Sequence, residues 1–226
     1  LCSRWSKNRS DTFDQRVIVR GFIMQIGVVD YGASNIFSVL RALTFLGADA
    51  KIISKREDFN YIDKIILPGQ GSMGACIENL KKNELFESLK NTISEKPYLG
   101  ICLGLQVLFS VSEESLGDQG LNIFPEKIER FIHSKNLKIP HMGWNQVEFK
   151  KDHFINSAIP NSSNFYFVHS FASKRVEESK VLAQTTHGEI FNSAVIKENI
   201  IGVQFHPEKS GSQGLRFLKN FIDWKI

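Results

Sequence analysis

Cys102 lies in the pentapeptide Gly100-Ile101-Cys102-Leu103-Gly104, a thiol with a glycine two residues away on each side. A thiol attacks acyl carbons once it is deprotonated, and a tight strand-to-helix turn is one way to present it. Such a turn forces the nucleophile into a strained backbone, and flanking glycines remove the side chains that would clash. The N-terminus of the following helix supplies free N–H groups that favour thiolate over thiol. A lone cysteine is more often an inert, buried apolar residue. The glycine frame gives the nucleophilic reading equal weight. A hundred residues on comes Val203-Gln204-Phe205-His206-Pro207-Glu208, an apolar strand ending at His206 and stopped by Pro207. A thiol nucleophile needs an imidazole to take and return its proton, and the imidazole needs an acceptor to fix its tautomer. His206 and Glu208 can fill both roles from one strand end. A third piece is Leu67-Pro68-Gly69-Gln70-Gly71. Glycines on both sides of Gln70 let a peptide turn its N–H toward an anion, and with the N–H of Leu103 it could form an oxyanion hole. Alone, that segment reads as a turn ending a strand.

The elements that would position these pieces alternate in kind. Ile26–Val29, Ala50–Ile53, Lys64–Leu67 and Pro97–Ile101 are short apolar runs that read as buried strands. Between them, Asn35–Leu46 carries Ile36, Val39, Leu40, Leu43 and Leu46 on one side of a helix, and helical segments including Met73–Leu80 fill the stretch from Leu67 to Tyr98. A further helix is expected from Leu103. Strands alternating with helices predict an α/β fold, an open, largely parallel twisted sheet flanked by helices. The C-terminal portion is richer in strands: 123–131, 146–149, 165–171, 181–185 and 194–205, closed by a helix near 214–221. Trp144, between Gly143 and Asn145, falls in a stretch that reads as strand-poor.

Composition narrows the function classes. The chain has 226 residues, 42% apolar and 23% charged, which suits one soluble domain with no internal repeat or linker. Its charge of +4 is misleading as a hint of nucleic acid. Residues 1–23 hold Arg4, Lys7, Arg9, Arg16 and Arg20 against Asp11 and Asp14, and the other 203 residues carry 23 bases and 22 acids. The body is near neutral, without a basic field for phosphate backbones. Residues 1–23 have no apolar run long enough for a secretory signal, and two acids are unusual in a transit peptide. The first strand begins near Met24, so 1–23 are expected to be a non-native or disordered leader and 24–226 the working domain. Three cysteines, Cys2, Cys76 and Cys102, form no disulfide framework, which suits a reducing, cytoplasmic compartment. Cys76 reads as core. No apolar window approaches a membrane span. His133, His153 and His187 lack metal-ligand spacing and read as surface residues. No phosphate-binding GxxxxGK[ST] occurs, and neither metal nor cofactor is expected.

Gly-Ile-Cys102-Leu-Gly-Leu-Gln106, His206-Pro-Glu208 and Pro-Gly-Gln-Gly at 68–71 together resemble the class I (triad) glutamine amidotransferases. Four further segments, Asp30-Tyr-Gly, Pro140-His-Met-Gly-Trp-Asn145, Tyr166-Phe-Val-His-Ser170 and Gln204-Phe-His-Pro-Glu-Lys-Ser210, are similar to the glutaminase subunits of imidazole glycerol phosphate synthases. The resemblance runs from Met24 to Trp224 and implies hydrolysis of glutamine, with ammonia handed to a cyclase subunit in a heterodimer. It implies Cys102 as nucleophile, His206 as general base and acid, and Glu208 as its orienter. Gln70, Gly71 and Leu103 would serve the oxyanion, and Gln106 and Glu114 would hold the polar groups of the substrate. The backbone of His169, Ser170 and Phe171 would take its α-carboxylate side. Asn35, Trp144, Asn145, Tyr166 and Lys209 would face the partner around the ammonia exit. Two departures, Ser34-Asn35 after Asp-Tyr-Gly-x and Gly120-Leu121-Asn122 before a strand, bear on loop shape rather than chemistry.

Two other readings stay open. Related glutaminases serve synthases that amidate a sugar nucleotide for surface polysaccharide, and the Asn-Leu-Lys-Ile139 lead into Pro140 resembles theirs. Ser210-Gly-Ser-Gln-Gly214 looks more like the histidine-pathway form. A non-catalytic regulatory subunit is the reading from another class, and the intact Cys, His and Glu set argues against it.

Overall fold

The structure is a computed structural model that describes residues 24–32, 36–115, 117–133 and 137–226. The expected leader, 1–23, and the expected interface residue Asn35 lie outside the described residues. Five strands form a parallel block in the order β2 (Asp49–Ile53), β1 (Gln25–Val29), β3 (Lys64–Gly69), β4 (Tyr98–Cys102) and β12 (Ile200–Val203). β1, β4 and β12 are continuous in apolar character because both faces are covered, whereas β2, at the edge of the sheet, is mostly exposed. Alternate residues go to opposite cores: Leu99 and Ile101 pack with α1 (Ile36–Phe45) and α5 (Gly211–Asp223), while Tyr98 packs with α2 (Met73–Lys82) and α3 (Phe86–Thr92).

Beyond β12 the sheet turns antiparallel, through β11 (Glu189–Lys197), β10 (Val181–His187), β7 (His141–Phe149) and β8 (Ser163–His169). A side branch joins β5 (Phe109–Ser112), β6 (Phe124–Arg130) and β9 (Phe171–Ser173) to β11. The α/β architecture and the strand-rich C-terminal half match expectation.

Three local expectations are corrected. The helix after Cys102, α4 (Leu103–Gln106), is a single turn. The run expected as one strand over 194–205 is two, β11 and β12, broken at Glu198 with φ +52°. Trp144 lies inside β7, a nine-residue strand, instead of a strand-poor stretch.

Lys64, buried at the start of β3, donates to the carbonyls of Phe221 (2.8 Å) and Ile222 (2.7 Å) and to that of Trp224. It supplies donors that the last turn of α5 cannot find within itself. Burial lowers its pKa to about 8. A cation on β3 thus ties down the far end of the helix that follows the His206 loop.

Candidate active site

Neighbouring strands β4 and β12 run parallel and in register, Ile101 beside Val203, so Cys102 and the residues just past β12 emerge at one end of the sheet. Cys102 adopts φ +56° and ψ −101°, a conformation non-glycine residues rarely accept. The surroundings enforce it. A Cβ on Gly100 would lie 2.2 Å from the Gly104 carbonyl oxygen, and one on Gly104 would lie 1.9 Å from that of Leu67. The two glycines therefore let β4, α4 and β3 touch backbone to backbone. The buried Tyr98 hydroxyl pins the turn by donating to the Gly104 carbonyl at 2.8 Å. With one helical turn, α4 offers little dipole, so the expectation that a helix N-terminus favours the thiolate carries less weight.

His206 supplies what the short helix does not. It is fully buried, and its Nδ1 lies 2.8 Å from Glu208 Oε1. Burial opposes a charged imidazole, but the Cys102 sulfur and the Glu208 carboxylate outweigh it and raise the His206 pKa to about 10. The loop is held from several sides. The His206 amide donates to the Tyr166 carbonyl at 2.9 Å, and Ser210 Oγ donates to the His206 carbonyl at 2.6 Å. A Cβ on Gly214 would lie 2.0 Å from the Pro207 carbonyl oxygen, so that glycine lets α5 pack against the loop.

A cavity of about 400 Å³ opens over the sulfur. Of the expected residues it is lined by Cys102, Gln70, Gly71, Leu103, Gln106, Glu114, Tyr166, His169, Ser170, Phe171 and Lys209. The structure brings these together from five separate segments. Gln106 is buried, and its Nε2 donates to the Phe171 carbonyl at 3.3 Å. Burial raises the Glu114 pKa, and the Met73 amide N–H draws it back. Gly71 has φ +95° and nothing within 4 Å of a Cβ built on it. Gly69, by contrast, is hemmed in, since its Cβ would meet the Tyr31 hydroxyl at 2.3 Å and Leu103 Cβ at 2.8 Å.

The expected interface residues separate. Trp144 is 58% exposed and pairs across β7 and β8 with Tyr166, ring centroids 6.2 Å apart. Met142 lies on the same face at 64% exposure. Asn145 turns inward instead, its Nδ2 lying 2.9 Å from the Thr186 carbonyl and 3.1 Å from His141 Nε2.

That contact starts a histidine chain with no signature in the sequence. The Phe171 carbonyl can only accept, so His169 Nδ1, 2.8 Å away, carries the proton. His169 Nε2 then accepts from His141 Nδ1 at 2.9 Å, and His141 Nε2 accepts from Asn145. Burial lowers the His141 pKa to about 4 and that of His169 to about 3, so both rings are neutral at pH 7. His187, expected at the surface, is half-buried and stacks on His141 at 4.1 Å. His153 is half-buried as well and accepts the Ile155 amide at 3.1 Å, while His133 is exposed as expected. Cys76 is buried, as expected of a core residue. Among the described residues no helix is long and apolar enough to cross a membrane, and no group of three or more His, Cys, Asp or Glu could hold a metal.

Comparison with known proteins places this geometry in a family. The glutamine amidotransferase class-I profile matches residues 27–224. "Imidazole glycerol phosphate synthase subunit HisH" of Hydrogenovibrio crunogenus is 40% identical over 205 residues, 88% of this chain and 96% of that one. The protein of the same name from Gloeothece citriformis is 42% identical over 201 residues, covering 88% and 95%. A solved structure described as "Crystal structure of glutamine amidotransferase" superposes with a TM-score of 0.69 at 19% identity, covering 88% of this chain and 97% of that one. With the family profile spanning nearly every residue from β1 to the end of α5, this chain belongs to the class I glutamine amidotransferases.

Proposed function

We propose that this protein is the glutaminase subunit of an imidazole glycerol phosphate synthase, acting in histidine biosynthesis. Its domain is residues 24–226, and its partner is a cyclase subunit in a heterodimer. One observation carries the reading: the strained Cys102, the buried His206–Glu208 pair and the cavity over the sulfur converge beside half-buried Tyr166 and the exposed Trp144 paired with it. In this reading His206 takes the Cys102 thiol proton, the sulfur attacks the side-chain carbonyl carbon of glutamine, and the electron pair of the C=O bond moves to oxygen. The oxyanion meets the N–H groups of Leu103 and of the Gln70–Gly71 segment. The His206 imidazolium, oriented by Glu208, gives its proton to the departing nitrogen as the C–N bond breaks and ammonia leaves. Water then attacks the thioester, His206 takes its proton, and the sulfur departs with the C–S electron pair.

Ammonia is lost to protonation in bulk water, so its production and its use need a sealed interface. Trp144, Tyr166 and Lys209 would supply part of that seal, Trp144 as an aromatic anchor and Lys209 as a cation for an acidic partner group.

The test uses the chain together with its cyclase subunit. Glutamine should be converted to glutamate slowly by the chain alone and much faster with the partner and acceptor present. Cys102→Ser should abolish glutamine-dependent turnover and spare turnover fed by ammonium. The wild-type gene, with the partner co-expressed, should rescue a histidine auxotroph lacking its own glutaminase subunit. A soluble complex that fails to rescue would put the sugar-nucleotide acceptor in first place.

A further inference from the structure

Gln204 lies two residues before His206, and the mechanism above gives it no task. It is fully buried, and its backbone N–H is already satisfied by the Ser193 carbonyl at 2.9 Å. Burying a primary amide is unfavourable unless its oxygen and its N–H groups find partners. The orientation of this amide follows from its neighbours. Gln106 presents its NH₂ to the Phe171 carbonyl, which can only accept. That same NH₂ is 3.4 Å from the Gln204 side-chain oxygen. The Gln204 NH₂ therefore faces the other way, 3.6 Å from Cys102 Sγ. Flipping the amide would set NH₂ against NH₂ at one end and oxygen against sulfur at the other.

We infer that Gln204 is a catalytic residue whose amide N–H donates to the Cys102 sulfur and stabilises it as a thiolate, with Gln106 linking that donor to the wall of the substrate cavity. The donor acts twice in the cycle. It lowers the energy of the attacking sulfur anion, and it meets the same anion again when the C–S bond of the thioester breaks. His206 covers the sulfur only while its Nε2 holds a proton. During deacylation, His206 first serves as base, and the Gln204 N–H is a donor that never leaves. A hydrogen bond to a charged group changes a rate by about 10- to 100-fold, large enough to measure. The substrate in this inference rests on the glutaminase reading; the N–H···S contact does not.

Gln204→Leu removes the donor at nearly constant volume and leaves Gln106 its bond to Phe171. Two rates are read: alkylation of Cys102 by iodoacetamide at pH 7, with Cys102→Ala reporting the other thiols, and glutamine turnover in complex with the cyclase subunit. Both alkylation and kcat should fall by about 10- to 100-fold, with KM changed less than about threefold and ammonium-fed turnover retained. Alkylation and kcat both within about twofold of wild type would overturn the inference. Should Gln204→Leu fail to bind the partner, the side-chain amide resonances of Gln204 in the unsubstituted chain decide the matter. They should shift between the native chain and Cys102→Ala, and unchanged resonances would overturn it. Slower alkylation in a protein with no glutaminase rate in any complex would sink the glutaminase reading and leave the contact standing.

Discussion

Two glycine-bearing segments flank the Cys102 sulfur, and they could hardly be packed more differently. On one side, Gly100 and Gly104 have backbone atoms where a methyl group would have to go, 2.2 and 1.9 Å away. On the other, Gly71 has open space around it and a positive φ of +95°. The boundary between the two regimes falls at Gln70, because Gly69 is still wedged against Tyr31 and Leu103. The position of the Cys102 thiol is thus settled by folding itself. The peptide after Gln70 has the room and the left-handed backbone that only glycine gives cheaply, so in the proposed mechanism it is the Gly71 N–H that can turn toward or away from the oxyanion. A bound partner could select one orientation without moving the thiol.

The sharpest way to break this comparison is to put a methyl group on each side. Gly104→Ala drives a carbon into the Leu67 carbonyl and should cost about 3 kcal/mol or more in urea unfolding, or leave no folded protein. A fully stable Gly104→Ala would show that the elbow has slack after all. Cys102→Ala comes next, with glutamine turnover lost entirely and a clear effect on His206. Burial still lowers the imidazole pKa, but its sulfur partner is gone, so the value should fall from about 10 as read by NMR titration. The sign for stability follows. A pKa raised in the folded state stabilises fully below 6.5, and that stabilisation is lost as pH rises through about 10. In Cys102→Ala the alkaline loss should shrink. A His206 that still titrates near 10 would assign the shift to Glu208 alone.

Gly71→Ala probes the loose flank. An L-residue there pays only the left-handed backbone penalty, about 1–2 kcal/mol, and meets no atom. Partner-activated glutamine turnover should fall more than basal turnover, with ammonium-fed turnover unchanged. Equal losses in both would mean that the Gln70 peptide does not move. The smallest change in stability belongs to Trp144→Ala on the exposed strip, within about 0.5 kcal/mol by thermal melting. Affinity for the proposed cyclase subunit, read by calorimetry, should nonetheless drop about tenfold or more.

Much of this was legible in the sequence, for identifiable reasons. Ile26–Val29 and Ile65–Leu67 within Lys64–Leu67 read as strands because burial on both faces leaves an apolar run. The elbow was visible because its close approaches demand glycine at 100 and 104. The run Leu103-Gly-Leu-Gln-Val-Leu-Phe109 misled, since a helix and a strand look alike when every position is buried and nearly all are apolar; α4 ends after one turn and β5 begins at Phe109. β7 was missed at Trp144 because Met142 and Trp144 put apolar side chains on the solvent face, reversing the usual alternation. The chain from Asn145 through His141 to His169 had no signal to find. Its members are 4 and 28 residues apart, and only antiparallel pairing of β7 with β8 sets them in line. Gln204 lies inside the His206 motif, but its task depends on which way an amide faces, which no spacing encodes.

The backbone contact between Gly104 and Leu67 also bears on how such chains decay over evolutionary time. Selection on Cys102 ends when a lineage stops using glutamine, but selection on Gly100 and Gly104 does not, because they keep β3 and β4 assembled whatever the chemistry. A descendant that had become a silent scaffold would therefore still display the glycine frame with another residue at its centre. In this chain the frame belongs to the fold, and only the thiol together with the His206–Glu208 pair belongs to the proposed turnover.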